Sequence, residues 1–291
     1  LMRQAVDDEV DVINYSKGVD YCILAPTNSL VAAWMQQAMR CVLQYAENEF
    51  PKKHGKPSKT VFVFAAGNEG RDASCFIPAS FSAEFQGRVI TVAAVNQQGN
   101  LSNFVQECGA GQSTPGSNWG EKVSVAAPGT KIRTTSSSVC PSSFTQCYGY
   151  KFECGTSVAA PFVAGLVGLL RSKEPTLSAA QVVERIKFGA QQGNPDPVPP
   201  TTLPDGSTVQ HNFHIINALK TLWPDLSPGP MWKALFLNSC VEPSATGTRQ
   251  WYELAFDNST WQSVGLPDQG RVGDSFYRGV FSLDVIRTAQ L

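Results

Sequence analysis

Four short runs constrain what this chain can fold into. Residues 10–14, 60–65, 89–95 and 123–126 are rich in β-branched and apolar side chains, and almost no polar residue interrupts them. A strand with one wet face alternates apolar and polar residues, whereas a strand covered on both faces reads as a nearly continuous apolar run. Helix-like segments separate the runs. Strands alternating with helices build parallel sheets, so residues 1 to about 200 are predicted to form an α/β domain, three-layered with a mostly parallel sheet.

The intervening segments are expected to be helical. Leu30, Val31, Trp34, Met35, Ala38, Val42 and Tyr45 recur close to helical spacing within residues 30–48, and this set is assigned to core packing. Residues 157–171 are apolar nearly all round, as expected of a helix buried in a domain centre. A third helix, 178–188, has Ser178 as its N-cap, and a fourth is expected over 213–222. Two loops are expected: 104–116, with several glycines, and the Pro-rich connection 191–205, extended and exposed. The Pro-rich run 223–231 reads as a linker, followed over 232–291 by a strand-like, aromatic segment.

The second helix begins in an unusual way. Cys154-Gly155-Thr156-Ser157 leads directly into Val158-Ala159-Ala160-Pro161-Phe162-Val163-Ala164-Gly165. Glycine lets the backbone pass close to a substrate, and a helix N-terminus sets a positive partial charge beside a serine hydroxyl. The block resembles the active-site serine block of subtilisin-like serine proteases (subtilases), Gly-Thr-Ser-x-Ala-x-Pro-x-Val-x-Gly, at every fixed position. Val61-Phe62-Val63-Phe64-Ala65-Ala66-Gly67-Asn68-Glu69-Gly70 is similar to the family's oxyanion-hole strand and turn. Val12-Ile13-Asn14-Tyr15-Ser16-Lys17-Gly18 resembles the strand that lines its substrate cleft. Weaker echoes are Ser117-Asn118-Trp119-Gly120, Val125-Ala126-Ala127-Pro128-Gly129 and Ile216-Asn217-Ala218.

The resemblance covers residues 1–222, read as a peptidase domain incomplete at its N-terminus. It implies a serine endopeptidase acting on protein or peptide substrates: Ser157 as nucleophile, Asn68 as oxyanion donor, and Asn14, Ser16, Gly18, Ala66, Gly67 and Glu69 along the substrate. For each role a plain structural reading stands beside it. Ser157 caps a helix, Ala66-Gly67-Asn68 turns after a strand, and Glu69 is a solvated surface carboxylate. Glu69 beside the pocket would favour a basic or polar side chain before the cut. The family's Asp and His-Gly-Thr-His blocks are not found, and both ends of the chain are expected to be truncations.

A serine needs a base to take its proton. His54, His211 and His214 are the three histidines, and none sits in a matching block. His54 falls in a basic turn expected to be a solvated loop, and His211 and His214 precede the fourth helix. The piece alone is therefore expected to be inactive. A runner-up is a catalytically dead subtilase-like binding protein that recognises glycan or protein through its C-terminal segment. A third reading makes Cys154 the nucleophile.

Within 256–267, Phe256-Asp257-Asn258-Ser259-Thr260-Trp261 resembles a motif of galactose-binding-like jelly-roll modules, so a small β-rich module with a possible glycan or protein contact is expected there. Net charge is −1, with no basic stripe for nucleic acid. The longest apolar stretch, 158–170, is too short for a membrane span. Leu1-Met2-Arg3-Gln4 does not open a signal peptide. No cofactor is required; calcium is possible but unassigned to any site. Eight cysteines favour a secreted or extracytoplasmic protein. Cys140–Cys147 is the expected pair and Cys75–Cys108 a second, while Cys22 and Cys41 flank a helix and Cys240 lies in the tail.

Overall fold

The structure is a computed structural model that describes residues 1–109, 114–136, 149–203 and 205–225. All of these fall in the first of the two units into which the chain divides, Leu1–Pro228. The linker beyond Asp225, the jelly-roll-like motif, Cys240 and the Cys140–Cys147 pair lie outside the described residues.

Chain order is α1 (Met2–Asp7), β1 (Val12–Tyr15), β2 (Val19–Asp20), α2 (Tyr21–Thr27), α3 (Ser29–Gln44), a π turn (Tyr45–Glu49), α4 (Phe50–His54) and β3 (Val61–Ala65). It continues with β4 (Phe76–Ile77), β5 (Val89–Val95), α5 (Phe104–Cys108), β6 (Val125–Pro128), β7 (Ile132–Ser136), β8 (Gly149–Glu153), α6 (Thr156–Lys173), α7 (Ala179–Gly193), β9 (Thr201–Thr202), β10 (Thr208–Val209) and α8 (Ala218–Leu222). The four predicted runs form one sheet, β1-β3-β5-β6. It is parallel throughout, with Val12 opposite Val61, Phe62 opposite Val89, and Val92 opposite Val125.

The apolar runs are continuous because each strand serves two cores. In β3, Val61, Val63 and Ala65 pack with Ile90 and Val92 against Ala160, Val163 and Val167 of α6 and Val182 of α7. Phe62 and Phe64 point the opposite way, into a second core with Leu43, Phe50, Ile77 and Phe81. Successive side chains of a strand face opposite sides, so one pentapeptide joins both helical layers. The α/β expectation, with a mostly parallel sheet between helical layers, holds.

Several local expectations need correction. In α3, Leu30 and Trp34 are 83% and 71% exposed and Ala38 is also exposed, while Ala32 and Leu43 are buried. Capped by Asn28, whose side chain accepts from Val31 N–H, α3 is rotated so that Leu43 enters the second core while Leu30 and Trp34 face out. Periodicity found the stripe but not that rotation. α6 is not buried all round. Ala159, Ala160, Val163, Leu166, Val167 and Leu170 face the sheet, whereas Phe162 and Leu169, at 45% and 56% exposed, have no covering element among the described residues.

Ser178 caps α7 as expected, within a full capping box shared with Gln181. The helix runs on to Gly193, into the predicted Pro-rich loop. The rest of that connection is not fully exposed: Val198 is buried, and Thr201–Thr202 pairs with Thr208–Val209. The final helix shrinks to α8 because Ile215 bridges to Ala126 beside the sheet, leaving Asn217 to cap what remains. Within the first expected loop, Phe104–Cys108 is helical, capped by Asn103.

Candidate active site

Parallel strands carry their loops to one end of the sheet, and functional groups in such folds gather beyond the carboxyl ends. That geometry collects the candidate residues here. Segment 16–18 follows β1, the turn 66–69 follows β3, and Gly129 follows β6. Gly129 C=O accepts from Gly155 N–H at 2.9 Å, pinning the start of α6 to the same end.

At that junction Gly155 has φ 144°, a value L side chains rarely adopt. A Cβ built there would lie 3.1 Å from Ser157 Oγ and 3.3 Å from Asn68 Nδ2. The two side chains thus flank one point, and their separation cannot exceed the sum of those distances. Ser157 and Asn68 are each half-buried.

Asn68 is oriented by α6 itself. Thr156 donates to Asn68 Oδ1 twice, from its backbone N–H at 2.9 Å and its hydroxyl at 2.9 Å. Thr156 Oγ1 in turn accepts from Gly67 N–H at 3.1 Å. With the amide oxygen held by both donors, Nδ2 is the free end, and it has no hydrogen-bond partner among the described residues. The N–H of Ser157 is likewise unpaired there, as expected of the first turn of a helix. A hydroxyl and a side-chain amide therefore meet at the head of a helix whose Ser157 N–H is unpaired among the described residues. A nucleophile plus two donors is what acyl transfer asks of a site.

Glu69 turns inward. Its Oε2 accepts from Asn68 N–H at 2.9 Å and from Asn118 Nδ2 at 2.8 Å. Ala66 is buried, donating its N–H to Val92 C=O. Gly67, at φ 104°, has no room for a Cβ between Asn118, Glu69 and Phe76. Asn14 donates from Nδ2 to Ser16 Oγ at 3.0 Å, and Gly18 lies against Ile77 and Phe76, where β2 pairs with β4. Thr156 and Asn118 carried no role in the sequence reading, although both stand inside the blocks that resemble the family.

No histidine bonds Ser157. His54, expected in a solvated loop, instead ends α4, stacks on Phe50 at 4.2 Å and contacts Asp7 Oδ1 at 3.0 Å. Asp7 lies before β1, at the opposite end of the sheet. Tyr45, donating its hydroxyl, and Lys53 hold the Asp7 carboxyl well below the usual carboxylate range. His211 is 5% exposed, bonds Thr201 Oγ1 at 2.9 Å, and burial pushes its pKa down. His214 Nδ1 meets Asn194 C=O at 2.8 Å.

The expected Cys75–Cys108 pair is replaced by two others, Cys22–Cys75 and Cys108–Cys154. The second bond leaves Cys154 no thiol, which removes it as a nucleophile. Cys41 is free and exposed. Among the described residues the one cluster with metal-ligand spacing, Asp20, Cys22 and Cys75, contains a disulfide and offers no thiolate. No described helix is long and apolar enough to cross a membrane.

The model of the subtilase family of peptidases matches residues 1–206. Subtilisin E of Bacillus subtilis is 31% identical over 186 residues, covering 64% of this chain and 37% of that protein. Mouse proprotein convertase subtilisin/kexin type 9 is 37% identical over 134 residues, 46% of this chain and 16% of its own. An extracellular protease of Xanthomonas campestris is 33% identical over 129 residues, 44% of this chain and 19% of its own. A protease from Pseudoalteromonas arctica PAMC 21717 superposes with TM-score 0.46 and 23% identity, over 73% of this chain and 50% of that one. The chain thus spans well under half the length of these curated relatives. On the family match over most of its residues, this chain belongs to the subtilase family.

Proposed function

We propose that the protein is a serine endopeptidase that cleaves peptide bonds through an acyl-enzyme on Ser157. The observation that carries this reading is the convergence of Ser157 Oγ and Asn68 Nδ2 on one point beside Gly155. Ser157 attacks the scissile carbonyl. Its oxygen gains negative charge as the carbon becomes tetrahedral, and it takes hydrogen bonds from Asn68 Nδ2 and Ser157 N–H. Collapse expels the amine, which receives the proton that a general base took from Ser157, and water then releases the acyl group. The extended substrate lies along Asn14, Ser16 and Gly18 on one side, by strand addition, and along Ala66, Gly67 and Glu69 on the other.

The general base and its orienting aspartate come from sequence preceding Leu1. The protein works outside the reducing cytoplasm: disulfides such as Cys22–Cys75 and Cys108–Cys154 persist in oxidising compartments. Residues 232–291 would supply a contact with glycan or protein.

The test is labelling by a fluorophosphonate. The protein expressed together with the sequence preceding Leu1 should react, and Ser157→Ala should abolish the reaction. No labelling of properly folded protein refutes the enzyme and leaves a binding protein. The 291-residue chain alone should hydrolyse peptides slower by about 10⁶, the loss subtilisin suffers without its base.

A further inference from the structure

The residue that fixes the oxyanion turn does not touch it at Asn68. Asn118 is 0% exposed and lies fifty residues downstream on an irregular segment. Its Oδ1 accepts from Glu69 N–H at 3.0 Å and from Arg71 N–H at 3.1 Å. Its Nδ2 donates to Ala66 C=O at 2.9 Å and to Glu69 Oε2 at 2.8 Å. Its backbone N–H donates to Gly67 C=O at 2.9 Å. Residues on both sides of Asn68 are thereby tied to a single residue, alongside one isolated bridge, Glu69 to Gly116, in which Gly116 N–H donates to Asn68 C=O at 3.2 Å. Asn68 N–H closes the circuit by donating to the same Glu69 Oε2 that Asn118 holds.

We infer that Asn118 is a positioning residue for the oxyanion hole, setting the place of Asn68 Nδ2 through Glu69 and the turn 66–71. The inference rests on the role proposed above for Asn68. Asn118 reaches neither substrate nor the reacting atoms; it holds Ala66, Gly67 and Glu69 as well, and its effect on the chemical step passes through Asn68.

The chemistry of the splint admits asparagine and little else. Four groups must be met: two backbone N–H donors, one carbonyl acceptor and one carboxylate acceptor. A side-chain amide supplies two acceptor lone pairs and two N–H donors at one reach. Aspartate offers no donor and sets a second carboxylate against Glu69. Glutamine is longer by a methylene, and the space ahead is filled. A Cβ on Gly67 would already lie 2.6 Å from Glu69 Oε2 and closer still to Asn118 Nδ2. Placement matters because an oxyanion donor works only within about 2.7–3.1 Å of the developing charge, and a 1 Å error costs about 10².

The experiment is a double-mutant cycle in the protein that carries its upstream base. Peptide hydrolysis is measured for wild type, Asn118→Ala, Asn68→Ala and the double variant, each with a thermal unfolding curve. Asn118→Ala should lower kcat by about 10- to 100-fold with KM changed less than about twofold. In the Asn68→Ala background the same substitution should cost less than about twofold further, because the group it positions is gone. Equal factors in both backgrounds would assign Asn118 a general structural role and overturn the inference, as would an unchanged kcat in Asn118→Ala. Unchanged kcat in Asn68→Ala would instead overturn the oxyanion role of Asn68, and the splint with it. If Asn118→Ala does not accumulate as folded protein, Asn118→Asp carries the same cycle: it keeps the acceptor for Glu69 and Arg71 N–H, loses the two donors and sets a carboxylate against Glu69.

Discussion

Alanine at position 155 would place one methyl group where the chemistry is proposed to happen. Its Cβ would sit 3.1 Å from Ser157 Oγ and 3.3 Å from Asn68 Nδ2. A carbonyl under attack needs its carbon about 3–3.5 Å from the nucleophile and its oxygen about 2.7–3.1 Å from the donor. The methyl and the carbonyl therefore claim the same volume. A substrate displaced enough to clear the methyl loses at least the contribution of one oxyanion donor. That is about 10²–10³ in kcat, or about 2.7–4 kcal/mol, a range set by subtilisin's own oxyanion asparagine. A second cost falls on the fold. At φ 144° a side chain is strained by about 1–3 kcal/mol, which for a domain of this size lowers Tm by about 2–12 °C. Two assays separate the costs: thermal unfolding of the chain, and peptide hydrolysis with fluorophosphonate labelling of the protein carrying its upstream base, both below the lowered Tm. Hydrolysis within about threefold of wild type, well short of the donor's range, would mean that the space between Ser157 and Asn68 does not receive the scissile carbonyl.

Three further outcomes are expected. Breaking the Cys108–Cys154 bond with Cys108→Ser and Cys154→Ser opens a loop of sequence separation 46 and should cost about 2–4 kcal/mol in denaturant unfolding. No change in midpoint would show that the bond does not form in solution. Burial holds His211 neutral and its pKa below the ordinary value, so the unfolded chain binds a proton more readily than the folded one. Stability attributable to His211 is then intact above about pH 6.5 and falls as pH drops below it, and the loss of Tm between neutral pH and mild acid should be smaller in His211→Gln. Phe64→Ala removes a fully buried ring that packs edge-on to Tyr15 at 6.4 Å between centroids. It should destabilise by about 3–5 kcal/mol, and a loss below about 1 kcal/mol would mean that this core is not closely packed.

How far the sequence carried the fold depended on how local each signal was. β5 matches its predicted bounds, and β1, β3 and β6 shift by one or two residues, because an apolar run records burial on both faces wherever the strand sits. Ser178 announces α7 because a cap and its Gln181 partner act within one turn. Ser157, Gly155 and Thr156 are contiguous, and so legible as a block. Pairings over distance were not legible. Both cysteine partners of the described disulfides were missed, since spacing along the chain says little about which thiols meet. His54 was placed in solvent because nothing near it in sequence names Asp7, its partner 47 residues away.

The sequence by itself therefore determined that a parallel sheet forms, where its four strands and the Ser178 cap lie, and that a serine heads a buried-faced helix. Tertiary structure alone decided which face of α3 meets the core, which cysteines join, and that Asn68 and Ser157 face one point. The physical reason is distance along the chain. Periodicity, capping and glycine conformation are set within a few residues. The Gly67–Thr156 contact that joins the two halves of the site spans 89 positions, and only the packed sheet, by bringing the ends of β3 and β6 to one end of the sheet with β5 between them, closes that gap.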